Sequence, residues 1–167
     1  MSRAETWDSL VTALSKEAAL VQALVRCAVD MAAPLSRLDV AAVERHTMKQ
    51  QSMLAELADA ARDRTDALDR CVPGTRSSGR LALQLVISAA PKAVARELRR
   101  IHQRLLVLRD EFLLVRARNQ LLIQQTLEFT RHFGESLVEA ASEPAAYDAS
   151  GASSHKAASG ELFVGAL

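Results

Sequence analysis

The stretch KAVARELRRIHQRLLVLRDEFLLVRARNQLLIQQTLEFTRHF, residues 92–133, decides the fold. Within it Val94, Leu98, Ile101, Leu105, Leu108, Phe112, Val115, Asn119, Leu122, Thr126, Phe129 and Phe133 recur in strict four-three alternation. That spacing puts one residue per turn on a single stripe of an α-helix, the seam of a coiled-coil-like packing. Pro91 sets its start, and continuation to about residue 141 makes one helix roughly 75 Å long at 1.5 Å per residue, longer than a compact domain of this size needs. Asn119 occupies a core position of the seam, where a buried Asn fixes register at some cost in stability.

Upstream, Leu10, Leu14, Val21, Leu24, Ala28, Met31, Leu35 and Leu38 repeat the same step, interrupted by Glu17. Pro34 should kink or end this first helix near residues 31–33, and Asp39 is a candidate N-cap for a second. The second helix, about 40–70, places Val43, Leu54, Leu57, Ala61 and Leu68 on one face. Thr47, Gln50 and Arg64 or Thr65 fall in the same stripe, so its seam is thin. The turn-rich run 72–79 ends it, and residues 81–90 read as a short helix stopped by Pro91.

The expected architecture is all-α: an elongated antiparallel bundle in which an N-terminal helical hairpin packs on one long C-terminal helix. Helices are expected at about 4–33, 40–70, 81–90 and 92–141, forming a single domain over 1–141. Residues 142–167, rich in Ala, Ser and Gly, read as a flexible tail ending in Leu162-Phe163-Val164. Composition agrees, with only 4% aromatic residues in 167 and no glycine before Gly74.

Totals narrow the function classes. Lys plus Arg number 21 against 20 Asp plus Glu, so there is no global field for nucleic acid or an anionic membrane. No signal-like apolar core opens the chain and no run approaches the roughly 18 apolar residues of a spanning helix, which makes the cytoplasm the expected compartment and membrane insertion unexpected. Cys27 and Cys71, about 30 Å apart in a hairpin at 1.5 Å per residue, are expected to be free thiols.

Chemistry is hard to find. Gly74 and Gly79 have phosphate-loop spacing, but Arg80 and Leu81 stand where Lys and Ser or Thr are needed. His46, His102, His132 and His155 form neither Glu-x-x-His nor His-x-x-x-His patterns, and Glu128 with His132 is an ordinary surface spacing. No catalytic residue, metal site or cofactor is expected. Lys92, Arg96, Arg100 and Arg104 form a basic stripe that, interleaved with Glu97, reads as a solvated face rather than a nucleic-acid footprint.

The excess lies on the far side of the long helix. Leu106, Val107, Leu113, Leu114, Leu121 and Leu127 all project away from the seam, so the helix is apolar on two faces from about residue 105 to 129. Either the hairpin or a partner must cover both. Six such side chains are worth on the order of 10 kcal/mol gross at roughly 1.5 to 3 each, enough after association costs to hold a helix at about micromolar strength. Leu106, Leu113, Leu114, Leu121 and Leu127 are therefore the candidate client contacts.

At this point the chain resembles the FlgN-type flagellar export chaperones. The hairpin segment from Asp39 through Lys49 to Leu57 and Arg62 is similar to theirs. So are Asn119-Gln120-Leu121-Leu122 and Thr126-Leu127-Glu128-Phe129 on the long helix, with Arg116 standing where the family carries a first Asn. Tyr147-Asp148-Ala149-Ser150-Gly151 looks like the tyrosine-bearing tail of that family. The resemblance implies a small cytoplasmic protein without enzymatic activity. It would bind the C-terminal amphipathic segment of hook-associated (hook–filament junction) proteins and keep them unassembled. It would then deliver them to the cytoplasmic domain of the export gate, with Tyr147 as the docking residue and the export ATPase as a further candidate partner. Two other readings stay open: a self-assembling structural coiled coil, with a homodimer covering the second face, and a helical nucleic-acid-binding regulator using Lys92 to Arg104.

Overall fold

A computed structural model describes residues 3–75 and 82–142. Its elements are α1 (Arg3–Asp30), α2 (Ala32–Ser36), α3 (Val40–Cys71), α4 (Ala82–Ala89) and α5 (Lys92–Ser142). Among the described residues there is no strand, so the all-helical expectation holds. The tail expected from residue 142 lies, from residue 143 on, outside the described residues. By packing, the chain divides into two units, Met1–Leu127 and Glu128–Leu167.

In the first unit α1 is the central element. Trp7, Leu10, Leu14 and Ala18 share one core with Ala67 and Leu68 of α3, Val86 and Ile87 of α4, and Ala95, Leu98 and Ile101 of α5. Leu10, Leu14, Val86 and Leu98 are fully buried. Where α3 meets this core it presents Ala67 and Leu68, so of the face of Val43, Leu54, Leu57, Ala61 and Leu68 expected from spacing only Leu68 reaches the core, and Ala60 is buried nearby. Leu54 is half exposed. Ala67 takes little space there, and Leu54 of α3 stays outside the core.

The connection between α1 and α3 is built from local hydrogen bonds. Helix α1 stops at Asp30, and Pro34 sits in the first turn of α2, where its missing N–H costs nothing. The Asp39 N–H donates to the Pro34 carbonyl at 3.0 Å and the Leu38 N–H to the Leu35 carbonyl at 3.3 Å. That pair of bonds closes a helix C-terminus around one left-handed residue, here Leu38 with φ 59°. Leu38 is accordingly exposed and leaves the seam in which its spacing placed it. Asp39 then caps α3, its Oδ1 accepting from the Ala42 N–H at 2.9 Å.

At the other end of α3, Gly74 takes φ +88° and its N–H donates to Asp69 Oδ1 at 2.9 Å. Both cysteines are free. Cys27 lies buried 3.7 Å from His46 Nδ1, and Cys71 lies 3.6 Å from the Thr6 carbonyl oxygen. One stretch, Arg3–Ser36, is long and apolar enough to cross a membrane by length and composition. This differs from the expectation that no stretch of the chain approaches the length of a spanning helix. The apolar stripe of that stretch packs against α3, α4 and α5.

Of the second unit, residues 128–142 are described, all helical. Phe129 and Phe133 stack one turn apart with ring centroids 6.2 Å apart, and both are more than half exposed. Spacing alone had given them core positions. Leu137 and Val138 are exposed beside them in sequence.

Candidate protein-binding surface

A groove lined by residues of α1, α3 and α5 opens between α3 and α5. Its volume is about 950 Å³. Leu14, Val21 and Leu24 of α1 line the floor, Leu54, Leu57 and Leu68 of α3 one wall, and Leu105, Leu106 and Phe112 of α5 the other. Thr75, Ala82 and Leu83 also line it. The spacing of α5 assigned Leu105 and Phe112 to the buried seam; they are half-buried and form groove wall instead.

Polar groups punctuate this apolar surface. Arg64 Nη1 donates to Glu17 Oε1 across the α3–α1 junction, and both residues line the groove. Glu17 Oε2 and the Thr75 hydroxyl oxygen are buried with no hydrogen-bond partner among the described residues. His102 and Arg109 stand on the α5 wall. Arg109 also donates to Asp110 Oδ1 at 2.8 and 2.9 Å on the exposed surface.

The five leucines singled out by sequence fall in two adjoining columns of α5. Leu106, Leu113 and Leu127 recur at multiples of seven residues, and Leu114 and Leu121 form the next column with Val107. Leu106 is half-buried and lines the groove. Leu113, Leu114, Leu121 and Leu127 are 52, 74, 54 and 63% exposed, so nothing in the first unit covers them. The structure thus joins Leu106 to the groove and leaves the other four as an uncovered apolar face. Tyr147 lies outside the described residues.

The remaining candidates are dispersed. His132 pairs with Glu135 at 3.4 Å rather than with Glu128. Arg100 pairs with Glu97 at 3.6 Å, and Arg104 donates to Gln22 of α1, so half of the basic stripe is engaged within the chain. Among the described residues no group of His, Cys, Asp and Glu is arranged to hold a metal ion. Burial holds the Cys71 thiol above its ordinary pKa, with Arg70 pulling weakly the other way.

Sequence reasoning missed the α3 wall and the Glu17–Arg64 pair. The signal was present: the interruptions of the two seams, Glu17 in α1 and Arg64 in α3, are each other's partners.

A family model described as FlgN protein matches residues 1–155. No curated protein and no solved structure matches the chain.

Proposed function

Because the chain belongs to the FlgN family of flagellar export chaperones, we propose that it is a cytoplasmic type III export chaperone. On this reading its α5 leucines receive the C-terminal amphipathic segment of hook-associated proteins. The observation that carries it is the uncovered face of Leu113, Leu114, Leu121 and Leu127, adjoining a groove that Leu106 lines. A soluble chain leaves so many leucines of one helix in water when another protein is to cover them. The protein works by holding, not by bond chemistry: an occupied face cannot join the growing hook–filament junction. Tyr147 docks the loaded chaperone on the cytoplasmic domain of the export gate, an aromatic anchor in a segment of small residues.

Capture of hook-associated proteins by the full chain tests this reading. The Leu114→Ser/Leu121→Ser variant should stay folded, because both side chains are exposed. It should bind at least tenfold more weakly, since each buried leucine contributes roughly 1.5 to 3 kcal/mol. Equal capture by both chains overturns the placement. A variant whose solution mass falls from dimer to monomer, with no hook-associated protein captured by either chain, favours self-assembly instead.

A further inference from the structure

The two columns of α5 that carry the uncovered leucines do not begin with leucine. Followed back toward the start of the helix, the first runs Leu127, Gln120, Leu113, Leu106, Arg99, Lys92. The second runs Leu121, Leu114, Val107, Arg100. Seven residues fall about 20° short of two turns, so Arg99 and Leu113, two repeats apart, stay on one side of the helix. Arg96 stands between the columns, one turn from both Lys92 and Arg100. All four basic residues are exposed. One continuous outer face of α5 is thus cationic for about 12 Å and then apolar for about 30 Å, at 1.5 Å per residue.

The chain does little to neutralise the cationic part. From residue 92 to 104 five Lys and Arg stand against one acid, Glu97, and the first turn of α5 holds none. Glu97 reaches Arg100 at 3.6 Å, but the Arg100 side chain stays 80% exposed, where such a pair is weak. Lys92, Arg96 and Arg99 have no ion pair among the described residues. Lys92 with Arg96, and Arg96 with Arg100, are like charges one turn apart, and each such pair weakens the helix that carries it. An opposite charge laid over them relieves that repulsion.

A nucleic acid would meet the cations and leave the adjoining leucines in water, and no aromatic side chain stands among residues 92–104 to stack a base. A wholly apolar segment would cover the leucines and leave the cations unmet. The occupant that satisfies both is a polypeptide whose apolar stripe adjoins a block of Asp or Glu. We infer that the client segment held by the α5 leucines carries such an acidic block at one end, seated over Lys92, Arg96, Arg99 and Arg100. The block makes the lie of the client directional, since the end that carries the acids points toward residue 92. The inference rests on the chaperone reading, which supplies the client, and adds to it a second surface with its own chemistry.

Three designed helices sharing one leucine stripe and one neutral dye test it; they differ only in a terminal block of Glu, Gln or Lys. By fluorescence anisotropy the full-length chain should bind the Glu helix about tenfold more tightly than the Gln helix, the sum of several exposed ion pairs, and the Lys helix most weakly. The preference should vanish at about 1 M salt, where charges are screened beyond roughly 3 Å, while the leucine contacts persist. In Lys92→Gln/Arg96→Gln/Arg99→Gln/Arg100→Gln, whose fold is checked by circular dichroism, the three helices should bind alike. Equal binding of the Glu and Gln helices to the natural chain, or a preference that survives in the variant, overturns the inference. So does a single-stranded RNA of random sequence that binds the natural chain more tightly than the Glu helix, which would make this a nucleic-acid surface. If no helix binds, hook-associated proteins decide. Capture by the variant equal to that by the natural chain overturns the inference and leaves the chaperone reading standing; weakened capture supports it; no capture by either chain removes both.

Discussion

Asn119 Nδ2 donates a 2.7 Å hydrogen bond to the Ala28 carbonyl oxygen, so a buried polar residue of the α5 seam is fastened to the last turn of α1. Its Oδ1 has no partner among the described residues. Asn119→Ala should lower stability by about 1 to 2 kcal/mol, because a buried carbonyl loses its donor. Asn119→Leu should cost less, since it removes the unpaired oxygen and adds apolar contact. Urea denaturation followed by helical circular dichroism measures both, and an Ala variant as stable as the natural chain would show the bond to contribute nothing.

The Glu17–Arg64 pair should behave asymmetrically. Glu17→Ala strands a guanidinium that keeps only a third of its side chain in water, and should cost about 1 to 3 kcal/mol. Replacing both residues by leucine should be close to neutral. Equal losses for the single and double variants would contradict this.

Leu38 holds a left-handed conformation, φ 59°, that costs a side-chain-bearing residue roughly 1 kcal/mol. Leu38→Gly should raise the melting temperature, offset in part by the greater freedom of glycine in the unfolded chain. Calorimetry on the two proteins is sufficient. A lower melting temperature would mean the leucine side chain makes a stabilising contact despite its exposure.

Cys71 keeps its proton to higher pH when folded than when unfolded, because burial disfavours the thiolate. As pH rises through the thiol range the unfolded chain binds fewer protons than the folded one. Stability from this group is therefore full below that range and lost above it. Alkylation of Cys71 by iodoacetamide should be slow in the folded chain and accelerate in denaturant, read by mass spectrometry.

Tyr147→Ala should leave the fold and the capture of hook-associated proteins unchanged. It should weaken binding of the purified export-gate cytoplasmic domain by about 1 to 3 kcal/mol, the range of a truncated aromatic anchor. Equal gate binding by titration calorimetry would remove Tyr147 from the docking role.

The helices were legible because each of their signals is local. Four-three spacing gave α5, Pro91 its start, Asp39 the cap of α3, and Pro34 the break after α1. Burial was less legible, because the spacing of a seam is the same whether its cover comes from the same chain or another. Phe129 and Phe133 continue the α5 pattern without interruption and yet stand exposed. The groove was hidden for a related reason. Leu54, Leu57 and Leu68 share one stripe of α3, yet only Leu68 joins the core, and periodicity does not resolve how far along a stripe its cover extends.

The pairing of Asn119 with Ala28 spans 91 residues of chain. At synthesis rates of roughly 5 to 20 residues per second, α1 leaves the ribosome about 5 to 18 s before that part of α5 exists to meet it. The hairpin partner α3 arrives sooner, but the side of α1 that carries the α5 contact has no native cover in the interval. A chain of this kind is itself a candidate for rescue by general folding factors while it is being made. Slowing translation between the codons for α3 and α5 should lower its soluble yield without changing a single residue.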